Sequence, residues 1–163
     1  MTHPFECEVR GALSPSQVDD LMRLYANEWW TQDRTRPDVE RMLDDSDLLF
    51  AVTEKVSQSL VAFARVLTDR TYVALVLDVI VAPAYRDRGL GRLLVERIRS
   101  APELRDVERI ELTCQPEHVP FYRKWGFSEN VGRSQLMRRT SNPSFADAAA
   151  QQAHRADRPR GVA

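Results

Sequence analysis

The stretch 72-YVALVLDVIVAPAYRDRGLGRLLVERIRS-100 decides how this chain folds. Its first part, Tyr72–Val81, is apolar at both parities, the pattern of a strand buried on both faces near the centre of a sheet. Its last part places Leu90, Leu93, Leu94, Val95 and Ile98 at helical spacing over Gly89–Arg99, with charges between them, and Pro102 stops that helix. The turn between them holds Arg86, Arg88, Gly89 and Gly91. First-turn amides of a helix have no intrahelical acceptor, and the helix dipole favours an anion beside them. A glycine there has no Cβ to keep the ligand from the backbone. The stretch therefore reads as a strand, an anion cradle and a helix. Asp78 interrupts the strand, which is costly unless the carboxylate is paired or functional.

Two common phosphate-binding patterns do not fit. A P-loop needs a Gly-Lys-Ser/Thr ending, and no lysine stands in this turn. A dinucleotide turn needs a third glycine, and Gly91 is followed by Arg92, Leu93 and Leu94.

Upstream, Phe5–Arg10 reads as a first strand. Ser14 and Pro15 open a helix carrying Val18, Leu21, Met22, Leu24 and Tyr25, which runs into the adjacent Trp29 and Trp30. Thr35 opens a second helix, with Asp38 three residues on and Val39, Met42 and Leu43 on one face, ending near Asp44–Ser46. Leu48–Thr53 and Leu60–Thr68 read as antiparallel strands around the turn 54–59. Downstream, Arg109–Cys114 alternates as a strand, Pro120–Trp125 is a short helix closed by Gly126, and Ser134–Arg139 reads as a last strand. From Thr140 the composition turns polar and Ala-rich. The expected division is thus a domain over 1–139 and a flexible tail over 140–163, with Ala146–His154 a candidate short helix.

Bulk properties limit the function classes. A chain of 163 residues, 43% hydrophobic and 29% charged, suits one globular α/β domain with a real core. A formal net charge of −1 carries no nucleic-acid signature. No apolar run approaches the ~20 residues needed to cross a bilayer, and the opening residues MTHPFECEVR lack the pattern of a signal peptide. Two cysteines, Cys7 and Cys114, make neither a disulfide framework nor a metal site, and Cys114 is expected to pack as a small apolar residue. These readings predict a cytoplasmic protein without metal, membrane or nucleic-acid partners.

After Arg109–Cys114 comes Phe121-Tyr122-Arg123-Lys124-Trp125-Gly126-Phe127, an F-Y-x-x-x-G-F segment. Together with V-x-P-x-x-R-x-x-G-x-G at Val81–Gly91, it resembles the GNAT (GCN5-related N-acetyltransferase) superfamily over roughly 48–139. The resemblance implies a mixed, mostly antiparallel sheet with a splayed strand pair that binds CoA, and helices on both faces. It implies acetyl-CoA as co-substrate. Backbone groups of Val79, Ile80 and Val81 would meet the pantetheine arm. The turn of Arg86, Asp87, Arg88, Gly89, Leu90 and Gly91, with Arg92 beside it, would take the pyrophosphate.

An amine must lose a proton before it attacks a thioester, and the leaving thiolate needs a donor. Tyr122 matches the family's acid by position. Two carboxylates compete as proton acceptor: Glu111, which resembles the strand glutamate of ribosomal-protein alanine acetyltransferases with one residue less before the tyrosine, and Asp78, which resembles the aspartate of polyamine acetyltransferases. The latter carry Glu one position earlier, where Leu77 stands here. Glu111 is favoured as base and Asp78 as an amine-holding or orienting group. His118 is a further base candidate. Tyr25, Trp29 and Trp30 fall where the family's acceptor site lies and could wall an amine on an apolar body. The expected activity is acetyl transfer to a primary amine of a small molecule or peptide. The alternatives are a GNAT-shaped sensor that binds acyl-CoA without turnover, and a transferase for another acyl group. Many members of the family dimerise, so a homodimer is a further expectation.

Overall fold

A computed structural model describes residues 5–146. Five strands lie in chain order in one sheet: β1 (Phe5–Arg10), β2 (Leu48–Glu54), β3 (Leu60–Thr68), β4 (Val73–Val81) and β5 (Arg109–Leu112). Neighbours from β1 to β4 are antiparallel, and β5 joins β4 in parallel. The helices are α1 (Pro15–Ala26), α2 (Arg36–Asp44), α3 (Leu90–Arg99) and α4 (Val119–Arg123). This is the mixed, mostly antiparallel α/β architecture expected from the sequence.

Local chemistry explains most element starts. Ser14 and Gln17 form a reciprocal capping box on α1, with Gln17 Oε1 accepting from the Ser14 amide at 3.0 Å. On α2, Thr35 Oγ1 accepts from the Asp38 amide and donates to the Asp38 carboxylate at 2.7 Å. Gly126, at φ +86°, follows α4 in the left-handed region that closes helices.

Apolar side chains fill both faces of the sheet. On one, α3 buries Leu90, Leu94 and Ile98 against Phe50, Ala64, Ala74 and Val76. On the other, α1 and α2 bury Leu21, Tyr25, Val39 and Leu43 against Leu49, Phe63 and Ile80. The helices thus hold the sheet between two layers, and hydrophobic burial of each face stabilises the arrangement.

The structure corrects three expectations. First, β4 is not buried on both faces. Its residues alternate, with Ala74, Val76, Asp78 and Ile80 buried and those between them half-buried, because its outer neighbour β5 is short and itself partly exposed. Second, Ser134–Arg139 forms no strand: the alternation is there, but no described strand pairs with it. Third, Cys114 is exposed and Cys7 is the buried thiol, because β5 stops at Leu112 and leaves Cys114 in the following loop. One compact unit extends to Glu129, and a second unit begins at Asn130. The candidate helix Ala146–His154 lies almost wholly outside the described residues.

Candidate active site

The centre of the site is a fault in β4. Phe63 pairs with Ile80 and Arg65 with Leu77, so Asp78 and Val79 together oppose Ala64. This is a β-bulge, and Asp78 sits in it at φ +55°, a left-handed conformation that Asp tolerates better than most residues. The extra residue reverses the parity of the strand. Ala74 and Val76 face α3 before the bulge; Val79 and Val81 do so after it, and Ile80 turns to α1 and α2.

Asp78 is therefore delivered, buried, to the α1/α2 face. There it accepts four hydrogen bonds: from Tyr25 Oη at 2.9 Å, from Arg34 Nη1 and Nη2 at 2.7 and 3.0 Å, and from Arg65 Nε at 2.8 Å. The Arg34 guanidinium also lies 4.6 Å from the centre of the Tyr25 ring. Burial by itself would raise the Asp78 carboxyl. The hydrogen bonds and charge of Arg34, then Arg65, outweigh it and hold the carboxyl below its ordinary range. An acid held ionised this firmly is a poor proton acceptor.

The same network removes Tyr25 from the expected substrate wall. Tyr25 is 1% exposed and its hydroxyl is committed to Asp78. Burial, followed by the adjacent Asp78 charge, pushes its phenol well above the usual value. Trp30 packs half-buried against the α1/α2 core. Trp29 is half exposed. In the amide orientation that satisfies both partners, Gln115 accepts from Trp29 Nε1 at 2.9 Å and donates to Glu117 at 2.9 Å. Of the three aromatics, Trp29 alone is exposed, and it is tied to the loop that follows β5.

The second feature is an opening in the sheet. β5 pairs with β4 only from Val73 to Val76. From Leu77 to Val81 the edge of β4 that faces β5 has no ladder partner among the described residues. Its backbone groups are available to an extended chain laid along them.

At the far end of that edge the chain makes a short turn, Pro83–Tyr85, and enters α3. Gly89 is the N-cap of α3 at φ +80°, a conformation that disfavours any side chain. No side chain caps α3 and no acidic residue stands in its first turn. The amides of Asp87, Arg88, Gly89, Leu90, Gly91 and Arg92 donate to no acceptor among the described residues. Arg86 donates to the Val81 carbonyl at 3.3 Å and pairs with Glu28. Arg88 lies 5.1 Å from the Tyr85 ring centre, and Arg92 pairs with Glu96 at 2.9 Å. Uncapped amides beside three arginines are a fitting cradle for a diphosphate.

α4 faces this turn. A Cβ added at Gly91 would meet Phe121 Cζ at 3.7 Å, so Phe121 packs over the first turn of α3. Its neighbour Tyr122 is buried, edge-on to Phe121 and Phe127 at centroid distances of 5.0 and 5.9 Å. Burial, with a contribution from Cys114, pushes the Tyr122 phenol up to about 12. It stays protonated at neutral pH and can donate a hydrogen bond.

Glu111 stands opposite Leu75 across the parallel pair, on the same face as Asp78. It is about half exposed and pairs with Arg109 Nε at 2.9 Å. His118 lies exposed in the loop before α4. Partial desolvation, then the charges of Glu129 and Glu117, raise the Cys114 thiol, which opposes a nucleophilic role for it. Among the described residues no cluster of His, Cys, Asp and Glu could hold a metal ion, and no helix is long and apolar enough to cross a membrane.

Arg34 and Arg65 are the site residues that sequence reading missed. Arg65 carried a usable signal: a lone arginine in the apolar strand LVAFARVLT needs a buried carboxylate, and Asp78 was the nearest isolated one. Arg34 carried none, since the 44 residues that separate it from Asp78 are bridged only by the fold.

Comparison with known proteins agrees with this geometry. The family model "Acetyltransferase (GNAT) family" matches residues 16–127. A chloroplastic GCN5-related N-acetyltransferase 1 of Arabidopsis thaliana is 33% identical over 89 residues, 55% of this chain and 45% of that protein. A chloroplastic serotonin N-acetyltransferase 2 of Oryza sativa subsp. japonica is 36% identical over 93 residues, 55% of this chain and 46% of that protein. The chain thus spans about half the length of these curated relatives. Among solved structures, a GNAT-family protein of Xanthomonas campestris pv. campestris superposes with a TM-score of 0.71 at 28% identity, over 83% of this chain and 93% of that one.

Proposed function

The chain belongs to the GNAT acetyltransferase family, and from that premise we propose that it transfers the acetyl group of acetyl-CoA to a primary amine. The observation that carries this reading is the parting of β4 from β5 beyond Val76, at whose end the uncapped first turn of α3 lies. An extended, amide-bearing arm can add to the free edge of Leu77–Val81 as a strand would. The amides of residues 87–92, with Arg86 and Arg88, suit the pyrophosphate. Acetyl-CoA supplies the activated thioester; the protein positions the groups around it.

Tyr122 is the proposed donor to the departing sulfur. With a phenol near 12, it acts by a hydrogen bond that strengthens as negative charge develops, with proton transfer completing late. Glu111 is the proposed proton acceptor for the incoming amine, directly or through water. It shares the sheet face of the acceptor side and is open to solvent. Asp78 is proposed to orient that face rather than to take a proton, because Arg34 and Arg65 keep it ionised. Trp29 is the proposed aromatic wall. The serotonin for which the rice relative is named makes aromatic amines a natural first panel. A cytoplasmic location remains part of the proposal.

The test is release of free thiol from acetyl-CoA across a panel of amines, with acetylated product identified by mass. Thiol release coupled to one amine class supports the reading. Tight CoA binding by calorimetry with no release across the panel would move the chain to the acyl-CoA sensor reading.

A further inference from the structure

The network around Asp78 is unbalanced in charge. Two guanidinium groups, always protonated, converge on one carboxylate. Among the described residues no second carboxylate lies within 4.0 Å of either. The tyrosine that completes the network is neutral, because its phenol is raised. A positive charge is left over in a mostly buried place: the side chains are 27% exposed at Arg34 and 12% at Arg65. Isolated charge in such a place is costly unless an anion or water meets it.

Asp78 does not use every guanidinium donor of the pair. Arg65 uses Nε on Asp78 and Nη1 on Ser46, and its Nη2 donates to no acceptor among the described residues. Arg34 spends Nη1 and Nη2 on Asp78, with Nη1 also 3.5 Å from Met42 Sδ, and at 27% exposure against 12% it is the more open of the two arginines. The network sits at the bulge, where the free edge of β4 begins.

Resting on the amine-acetylation reading above, we propose that the acceptor carries a carboxylate beside its amine, met by Arg34 with Arg65 behind it. Asp78 then acts as the fixed counter-charge that holds both guanidinium groups in place, and the substrate supplies the second anion. The amine is left on the side of Glu111. The preferred acceptors are amino acids or chain-terminal amino carboxylates, over the corresponding decarboxylated amines.

The test uses a matched pair of product analogues on the full, CoA-loaded chain: N-acetylphenylalanine and N-acetylphenethylamine, which differ by the carboxylate. Calorimetry should show the carboxylate compound binding at least roughly tenfold tighter, the scale of one charge-assisted pair. Arg34→Gln, checked for wild-type circular dichroism, should bring the two affinities together. Equal or reversed affinities in the wild type, or binding of neither compound, overturn the proposal. So does a preference that survives in a folded R34Q. If R34Q does not fold, the wild-type ratio decides alone. Turnover separates the two readings. Acetylation of phenethylamine but not phenylalanine keeps the transferase and sinks the carboxylate; tight binding of N-acetylphenylalanine with no acetylation of any amine does the reverse.

Discussion

Replacing Asp78 by asparagine removes the charge from the centre of four hydrogen bonds while keeping the shape of the side chain. The Oδ2 position receives Tyr25, Arg34 Nη1 and Arg65 Nε; Oδ1 receives Arg34 Nη2. If the asparagine oxygen takes the first place, its amide nitrogen faces a cationic donor at the second. The opposite orientation sets that nitrogen against three donors. Removing one partner of a buried ion pair costs about 3–5 kcal/mol. Arg34 and Arg65 retain some access to water, at 27% and 12% exposure, so the lower end, about 3 kcal/mol, is the expectation. For a chain of this size that is a fall of about 6–12 °C in melting temperature. Urea denaturation and a thermal melt both measure it. The pH dependence supplies an independent check. Asp78 has a folded value lowered from 3.8, so its contribution is full above that value and disappears as pH falls through the lower folded value. The gap between wild type and D78N should therefore be constant at neutral pH and close only below about pH 3.8. A variant that melts with the wild type but loses roughly a hundredfold or more in kcat would refute this reasoning and make Asp78 the proton acceptor.

Three further outcomes are expected. Tyr122→Phe should lower kcat by roughly a hundredfold with acetyl-CoA affinity unchanged by calorimetry, since only the hydroxyl is lost; unaltered kcat rejects the donor role. The double change Arg86→Ala and Arg88→Ala should weaken CoA binding by roughly tenfold or more while leaving the thermal melt of the free protein nearly unmoved, because both side chains are exposed; unchanged CoA affinity would remove the turn from the donor site. Burial, the largest cause, raises the Cys7 thiol from 9.0 to about 11, so the stability tied to it is complete below 9.0 and lost as pH rises through the folded value. Cys7→Val should reduce the alkaline loss between those values, leaving the shares that Cys114, Tyr25 and Tyr122 contribute; an identical alkaline profile in the variant would count against that account.

The features legible in the sequence share one physical property: each rests on residues within a turn or two of one another. The capping of α1 by Ser14 and Gln17 spans three residues. The pattern of Leu60–Thr68 predicts β3 at its observed bounds. The strand–turn–helix at Tyr72–Ser100 needed only the periodicity of its side chains and the positions of Gly89 and Gly91. Hydrophobic period and turn chemistry are local, and the motif downstream at Phe121–Phe127 completed the family assignment. The tertiary structure alone decided which long-range partners each group found. Asp78 was visible as an oddity, but its meaning depends on Tyr25, Arg34 and Arg65, at separations of 53, 44 and 13 residues. One bulged residue reverses every later side chain on β4, and a period-two pattern cannot register that shift when both parities are apolar. The alternation at Ser134–Arg139 failed for the complementary reason: it says which face a strand would show, not whether an edge is there to receive it. The chain by itself thus specified a glycine-bearing strand–turn–helix and the family to which it belongs. Only the packing of α1 and α2 on a bulged strand turned Asp78 from a candidate base into the anchor of two arginines.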